Sequence, residues 1–406
     1  MTKSRLIGTW TDPQSGVVSH ILTPPEGDIA RVAPLQQSFY YINQSLSADG
    51  RYYWFYCAFP PSNDAHTGRC LGLADFQEES IRWFPETAFS AASPYVYPAT
   101  ADVYWANAQG VWTLSVDPQS SPRRMGGFAV SQVGNRPIKR YATHFTRSPD
   151  GKYFGIDAGV GGDTVIGKFS LEQGQVETWQ TVQRIYNHGQ FNPVHPDLML
   201  LAQENYVNPI SGEYIPKDNR LWLIRKGGQL TPVYPESLAS EGYEKTSANS
   251  HLVDPVDCVR KDPRQLHGHE WWSADGEYIW YIHYQTGVER VPLSVAGPTE
   301  AQPELMWPHE TVSHAHSSPC GNYLVLDSMP ADAPECHHVR FVNLKTQRSV
   351  DIVSHMPQAS KALHPYHMHP HPHFCVGGHY VCYSTTVHGA ADVAFVRVAD
   401  LLAATE

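Results

Sequence analysis

Residues 148–160 read SPDGKYFGIDAGV. A Ser-Pro-Asp-Gly turn, in which glycine supplies the left-handed backbone conformation, leads directly into a run of strand-forming residues. The same order of turn and strand recurs along a chain that has 12% aromatic residues, 32 prolines and 30 glycines, without long helical periodicity. This pattern predicts an all-β chain.

The turn motif marks an internal repeat of seven units. Clear copies begin at Ser47, Ser148, Ser273 and Ser318, degenerate copies begin at Asn192 and Cys375, and a weakly marked unit covers residues 93–107. The units are roughly 45 to 57 residues apart, with one interval near 80, and a four-stranded propeller blade has about this length. The repeat therefore predicts a seven-bladed β-propeller, and a β-sandwich with fortuitous turn similarity is the alternative.

The repeat units extend over residues 1–406 without a low-complexity linker, which predicts a single propeller domain. A strand near residues 16–22 is expected to join the last blade and close the propeller. Residues 236–264 are predicted to form a long inserted loop.

Composition limits the partners of the protein. The formal net charge of −11 disfavours nucleic acid, because phosphate binding needs a basic surface. No apolar stretch is long enough to span a bilayer, so no membrane association is expected. The seven cysteines form no CxxC pair, and the first residues, MTKSRLIGTW, lack the apolar run of a signal peptide. These features predict reduced thiols and a cytoplasmic protein.

Histidines recur in a fixed register of the repeat. The residue seven positions before the turn glycine, or its equivalent, is histidine in five of six units: His144, His188, His269, His314 and His371, with Asn43 in the first. Histidine makes up 22 of 406 residues, so chance does not explain this register. In a propeller these positions are expected to line the central channel as a ring. The ring predicts metal binding, proton transfer or both, and hydrogen bonding within each blade is the alternative.

The last register histidine lies in an unusual stretch, residues 364–374, HPYHMHPHPHF. His369 and His371 are two residues apart on an expected strand, so their side chains should point to the same face. His314 from the neighbouring blade is the expected third ligand. Three imidazoles with open coordination positions favour a catalytic divalent metal such as Mn, Fe, Co or Zn.

Several of these elements resemble the oligogalacturonate lyase family. The similarity extends over most of the chain at low identity. Its most specific parts are HEWW (269–272) ahead of ADG (274–276), and HPHP (369–372). Further similar elements are DPQSGV (12–17) with LTPP (22–25), His188 ahead of Asn192-Pro193, RLWLI (220–224) and Ser313-His314.

The resemblance implies a seven-bladed propeller that cleaves short pectic oligouronides by β-elimination with a bound divalent metal, typically manganese. It implies His314, His369 and His371 as metal ligands, His269 as the Brønsted base and Arg220 as a cation for the substrate carboxylate or the transition state.

The chain departs from the family at one ligand position. The fourth ligand of the family, a glutamine just before HPHP, is matched here by Tyr366, with Gln358 further upstream, and water is the other way to fill the position. His144 is extra relative to the family. These differences leave the exact uronide open.

Other residues and functions remain as alternatives. His188, His144 and Glu204 are candidate substrate contacts, Arg220 is alternatively the partner of an acid at a blade edge, and the pair His337-His338 is expected to be solvated. Three rival functions remain open. They are a metal-independent propeller uronate lyase of the ulvan type, a metal-dependent hydrolase, and a non-enzymatic propeller scaffold for protein partners.

Overall fold

The structure of the protein is a computed structural model that describes residues 4–23, 35–58, 69–89, 92–208, 211–215, 217, 219–233, 267–296, 302–330, 333, 336–357 and 368–406. The loop predicted at 236–264 lies outside the described residues, and so do Gln358 and Tyr366.

The strands follow one another along the chain in groups of about four, each forming an antiparallel sheet. Two N-terminal strands come first, β1 (Ile7–Thr11) and β2 (Val18–Leu22). The first blade contains β3 (Leu35–Gln37), β4 (Tyr52–Ala58), β5 (Arg69–Asp75) and β6 (Ser80–Phe84). The second contains β7 (Tyr95–Val96), β8 (Val103–Asn107), β9 (Gly110–Leu114) and β10 (Arg123–Gly126). The third contains β11 (Ile138–Arg140), β12 (Tyr153–Val160), β13 (Asp163–Ser170) and β14 (Val176–Val182).

The fourth blade carries a small additional hairpin. It contains β15 (Tyr186–Phe191), β16 (Leu198–Gln203), β19 (Leu221–Arg225) and β20 (Thr231–Pro232), and the hairpin is β17 (Tyr206–Val207) with β18 (Tyr214–Ile215). The fifth blade contains β21 (His267–Trp272), β22 (Tyr278–His283), β23 (Gly287–Pro292) and β24 (Glu304–Pro308). The sixth contains β25 (Val312–Ser317), β26 (Tyr323–Ser328), β27 (Cys336–Asn343) and β28 (Arg348–Pro357). The seventh contains β29 (His373–Cys375), β30 (Tyr380–Thr385) and β31 (Asp392–Arg397).

The fold class is a seven-bladed β-propeller, as the repeat predicts, and the sandwich alternative is wrong. The weakly marked unit at 93–107 supplies β7 and β8 of the second blade. The chain divides into two compact units. The first unit comprises Met1–Asn107, Trp112–Arg124 and Thr311–Glu406, and the second comprises Ala108–Val111 and Met125–Glu310. The single domain expected from the sequence stays a prediction.

The Ser-x-Asp-Gly turn forms for the reason that its residue types suggest. The hydroxyl of Ser148 donates to Asp150 at 2.6 Å and accepts the backbone N–H of Tyr153 at 3.0 Å. Gly151 has a φ of 72°, which suits glycine, and its N–H donates to the carbonyl of Ser148 at 2.8 Å. The turn thus satisfies its own polar groups and delivers the chain into the second strand of the blade.

The seventh blade is closed by the N-terminal strands, as predicted. Its order is β1-β2-β31-β30-β29, so β2 pairs with β31 through His20 opposite Phe395 and Ile21 opposite Ala394. Asp12, in the turn between β1 and β2, anchors this hairpin to the sixth blade. Its carboxylate accepts the backbone N–H and the hydroxyl of Ser354, both at 2.8 Å.

Apolar side chains fill the space between facing blades. In the first unit, Val325 and Phe341 of the sixth blade pack with Phe374 and Val381 of the seventh. In the second unit, the fourth and fifth blades share a similar cluster that includes Leu200, Leu223, Ile279 and Tyr281. Each such buried side chain stabilises the fold by about 1.5–3 kcal/mol relative to exposure.

The α-helices in the described part of the chain are short. They are α1 (Val130–Val133) and α2 (Val398–Thr405), and α2 packs Val398 and Leu401 into the core of the sixth and seventh blades. None of the described helices has the length and hydropathy that crossing a bilayer requires.

We expect Asp12→Ala to lower the free energy of unfolding by about 2 kcal/mol, because it leaves the buried N–H and hydroxyl of Ser354 without their acceptor. Urea denaturation measures the change. The control is Asp400→Ala, which removes an exposed ion pair with Arg397 and should cost about 0–1 kcal/mol. Equal losses in both variants would contradict this account of the closing hairpin.

Candidate functional site

The register histidines lie at the start of their blades. His188 is in β15, His269 in β21 and His314 in β25, whereas His144 follows β11 and His371 precedes β29. Each unit of the chain holds its own histidine cluster. His314, His369 and His371 belong to the first unit, and His144, His188 and His269 belong to the second.

Three register histidines have an unusual backbone conformation. The φ angles are 54° at His188, 52° at His269 and 46° at His371, in the left-handed region that side chains other than glycine rarely adopt. The pairing register of β15 shifts between Asn187 and Gln190, and that of β21 shifts between Gly268 and Trp271, so both strands bulge at the histidine. Bulges re-aim side chains, and such strain, about 1–3 kcal/mol per residue, is concentrated at functional sites.

His314, His369 and His371 converge as predicted for a metal site. One ring nitrogen of each lies within 4.8 Å of those of the other two. The ring centroids are 4.3 Å apart for His314 and His371 and 5.3 Å apart for His314 and His369. Three imidazoles at this spacing are a suitable donor set for a divalent transition metal.

The predicted reason for the pairing of His369 with His371 is wrong. Neither residue lies in a strand, since β29 begins at His373, and the left-handed φ of His371 breaks the alternation of an extended segment. The two rings nevertheless lie 5.8 Å apart. The left-handed backbone at His371, and not a strand face, accompanies this proximity.

Asp327 supports this cluster from β26. Its carboxylate lies 3.0 Å and 3.1 Å from Nδ1 of His314, and it accepts the backbone N–H of His314 at 2.9 Å and of His371 at 3.1 Å. Burial raises the pKa of Asp327, although nearby histidines and these N–H donors oppose the shift. With Nδ1 of His314 donating to the carboxylate, Nε2 carries the lone pair for a metal, an arrangement common in metal sites.

Other groups around the cluster were missed or misjudged from the sequence. His337 was expected to be solvated, but it is 4% exposed and its ring centroid is 5.2 Å from that of His369. The ring of Tyr40 lies 4.7 Å from that of His371. His373 has a structural role, because its Nδ1 donates to the carbonyl of His371 at 3.1 Å.

The second unit holds a charged cluster around Arg220. Arg220 is 8% exposed and pairs with Glu204 through Nη1 and, at 3.8 Å, with Glu270 through Nε. Glu270, which is fully buried, also lies 3.3 Å from Nδ1 of His188. The same nitrogen is 3.2 Å from Nε2 of His144. Glu270 thus connects two predicted pairs. Arg220 with Glu204 lies on one side of it, and His188 with His144 lies on the other.

Electrostatics hold this cluster in a defined protonation state. Burial acts to raise the pKa of Glu270, but the charges of Arg220 and His188 overcome it and hold the pKa at about 2. Glu204 behaves in the same way, with burial opposed by Arg220 and Lys217 and a pKa of about 2. Burial, followed by the neighbouring His188, lowers the pKa of His144 well below its usual range. Both carboxylates are therefore ionised and His144 is neutral at neutral pH.

A second buried aspartate holds the histidine segments of this unit. Asp157 of β12 accepts the N–H of Thr143, next to His144, at 2.7 Å and the N–H of Gly189, next to His188, at 2.8 Å. Asp157 and Asp327 each lie six residues after a turn glycine, which is a signal that the sequence contains.

His269 is the predicted base in the second unit. It is half-buried, and its ring centroid lies 5.9 Å from that of Tyr284 in an edge-to-face arrangement. His269 has a left-handed backbone conformation and directly precedes the buried Glu270 in the same strand. An imidazole with solvent access beside a buried anion is suited to proton transfer.

The comparisons with known proteins give a likeness of fold. No protein-family model matches the sequence, and no curated protein matches it. Oligogalacturonate lyase from Vibrio parahaemolyticus superposes with a TM-score of 0.68 at 15% identity, over 97% of this chain and 96% of that one. An oligogalacturonate lyase in complex with manganese gives a TM-score of 0.67 at 15% identity, over 98% of both chains. Hydrazine synthase from Kuenenia stuttgartiensis gives 0.50 at 11% identity, over 90% and 96%.

These similarities show that the chain shares the propeller fold of oligogalacturonate lyase over its whole length. The resemblance expected from the sequence is confirmed at this level.

Asp327→Asn should weaken divalent metal binding about 10- to 100-fold, because the amide no longer fixes the tautomer of His314. Competition with a chromophoric chelator measures the affinity. Asp351→Asn on β28, which removes a half-exposed pair with Arg340, is the control and should leave the affinity unchanged. Unchanged affinity in Asp327→Asn would show that His314 needs no carboxylate to bind metal.

Glu270→Gln should destabilise the protein by about 3 kcal/mol at neutral pH, because Arg220 and His188 lose a buried charged partner. The pKa of Glu270 is lowered from 4.5 to about 2, so its contribution is present above pH 4.5 and is lost as pH falls through the folded-state value. As pH falls from 4.5 to about 2, the free energy of unfolding should therefore decrease less steeply in the variant than in the unaltered protein. Urea unfolding as a function of pH tests this, with Glu213→Gln, an exposed site, as the control.

Proposed function

We propose that the protein is a metal-dependent lyase that cleaves short uronic-acid oligosaccharides, of the oligogalacturonide type, by β-elimination to 4,5-unsaturated products. The observation that carries the proposal is the convergence of His314, His369 and His371, supported by Asp327, in a chain with the fold of a lyase that binds manganese. A manganese ion is the foremost candidate, with zinc, iron and cobalt as alternatives.

His314, His369 and His371 are the residues that would hold the metal. When bound, it would neutralise the substrate carboxylate, whose negative charge otherwise opposes removal of the neighbouring C5 proton. Asp327 keeps His314 in the tautomer that can bind, and the left-handed turn at His371 presents its ring beside His314. The protein residues thus define the site before any metal is present.

His269 is proposed as the base. A neutral imidazole takes the proton from C5, the electron pair forms the C4–C5 double bond, and the C4–O bond breaks. The C4 oxygen then needs a proton. His188 and Tyr284 belong to the same unit as His269 and are the candidates for supplying it, with water as the alternative.

Arg220 is proposed as a cation for the substrate or the transition state. Within the described part of the chain, its contacts with Glu204 and Glu270 use Nη1 and Nε. These contacts fix the plane of the guanidinium. Its remaining N–H groups are suited to bidentate binding of a substrate carboxylate. Glu204, His188 and His144 are proposed to shape the substrate pocket around it.

The first test combines metal content and activity. Untagged protein is analysed for bound metals by mass spectrometry, and the ultraviolet absorbance of the unsaturated product is followed with oligogalacturonides before and after chelation. Metal together with an absorbance rise that chelation abolishes and manganese restores is the expected result. Metal without the rise would discard this substrate and favour another uronide or hydrolysis, and activity without metal would favour the metal-independent lyase.

His269→Ala should retain metal but lose about 10²- to 10⁴-fold in turnover, because it removes the proposed base and leaves the first-unit cluster intact. His388→Ala, at an exposed turn position, is the matched control and should keep full activity. Loss of metal from His269→Ala, or retained turnover, would contradict the assignment of His269 as the base.

A further inference from the structure

A second group of potential ligands lies on the fifth blade. It consists of His267, His283 and Glu289, which lie on the three adjacent strands β21, β22 and β23. His267 is directly opposite His283, and Glu289 is directly opposite Tyr281. Because Tyr281 and His283 are two residues apart on one strand, all four side chains share one face of the sheet.

The distances within this group are those of a ligand set. One ring nitrogen from each histidine and one carboxylate oxygen of Glu289 lie within 4.8 Å of one another. Nδ1 of His283 is 2.8 Å from Oε1 of Glu289, and the two imidazole centroids are 4.6 Å apart. His267 is 5% exposed and Glu289 is 7% exposed, and the side chain of His283 retains 20% exposure, so an ion could reach the group.

Neighbouring residues orient these ligands. The hydroxyl of Tyr281 donates to Oε2 of Glu289 at 2.9 Å, which leaves Oε1 directed at His283. His267 is buried on the strand next to His283 and directly opposite it. A carboxylate held by a hydrogen bond beside imidazoles is the usual environment of metal ligands.

Hydrogen bonds alone account for this group incompletely. The contact between His283 and Glu289 brings Nδ1 and Oε1 within 2.8 Å of each other, as expected for two ligand atoms of one ion. The carboxylate of Glu289 is buried, and its described contacts are the hydroxyl of Tyr281 and Nδ1 of His283, so hydrogen bonds only partly offset the cost of burying it. A divalent cation bound by Oε1 of Glu289 and Nδ1 of His283 would balance the charge of the carboxylate.

We propose that His267, His283 and Glu289 form a second metal site, which takes a divalent transition ion such as zinc. Two imidazoles and one carboxylate form a set that binds zinc in other proteins, and an ion held by three strands cross-links β21, β22 and β23. The ion stabilises the strand that carries His269, two residues beyond His267. This site is independent of the function proposed above.

Metal stoichiometry tests the site. Chelated protein is loaded with Zn²⁺, dialysed and analysed by mass spectrometry, and Co²⁺ loading gives an absorption spectrum that reports coordination. The unaltered chain should bind two equivalents. The double variant His369→Ala with His371→Ala removes the first-unit cluster and should bind one, and adding Glu289→Gln to it should abolish that one.

The double variant also provides a stability readout. Zn²⁺ should raise its melting temperature, and Glu289→Gln should remove that rise, whereas Glu304→Gln on β24, which pairs with the partly exposed Arg290, should preserve it. Glutamine can still accept from Tyr281, so the fold without metal should persist. His283→Asn in the double variant removes another ligand of the same site and should also abolish zinc binding. One equivalent retained after either substitution, or no zinc-dependent rise in the double variant, would overturn the proposal.

Discussion

A buried aspartate on the second strand of a blade fixes the backbone of the histidine segments. Asp157 accepts N–H groups beside His144 in its own blade and beside His188 in the next blade. Asp327 does the same for His314 and His371, whose own N–H groups it accepts. Both carboxylates are fully buried, so donors on both sides are needed to offset their desolvation. Each aspartate thereby sets the relative position of imidazoles from two consecutive blades.

Carboxylates at other positions bind the imidazole rings themselves. Glu270 lies between His188 and Arg220, and Glu289 lies beside His283. The left-handed backbone at His188, His269 and His371 costs free energy that the apolar packing between blades must offset. Rigid blades therefore carry locally strained residues, as expected where side-chain placement matters more than local propensity.

The propeller fold can be predicted from repeated local features of the sequence. The Ser-x-Asp-Gly turn has a local mechanism, so its repetition predicts blades, and the histidine register predicts that His314 and His371 come together. Strand alternation predicted the pairing of His369 with His371 for the wrong reason, because a left-handed residue interrupts the strand. His337 was misjudged because burial depends on the neighbouring segment that covers a strand, which no local pattern encodes. Asp327 was missed although its spacing from the turn glycine matches that of Asp157.

The pairing of β2 with β31 also determines when the seventh blade can form. His20 of β2 pairs with Phe395 of β31, a strand that is synthesised much later. Until β31 has been made, this side of β2 has no partner strand, and such edges are prone to pair with other chains. Folding of the last blade therefore depends on a contact between distant parts of the chain, which is intrinsically slow to form. The seventh blade therefore closes only after β31 is available, and a chain that stops before β31 lacks the partner that β2 requires.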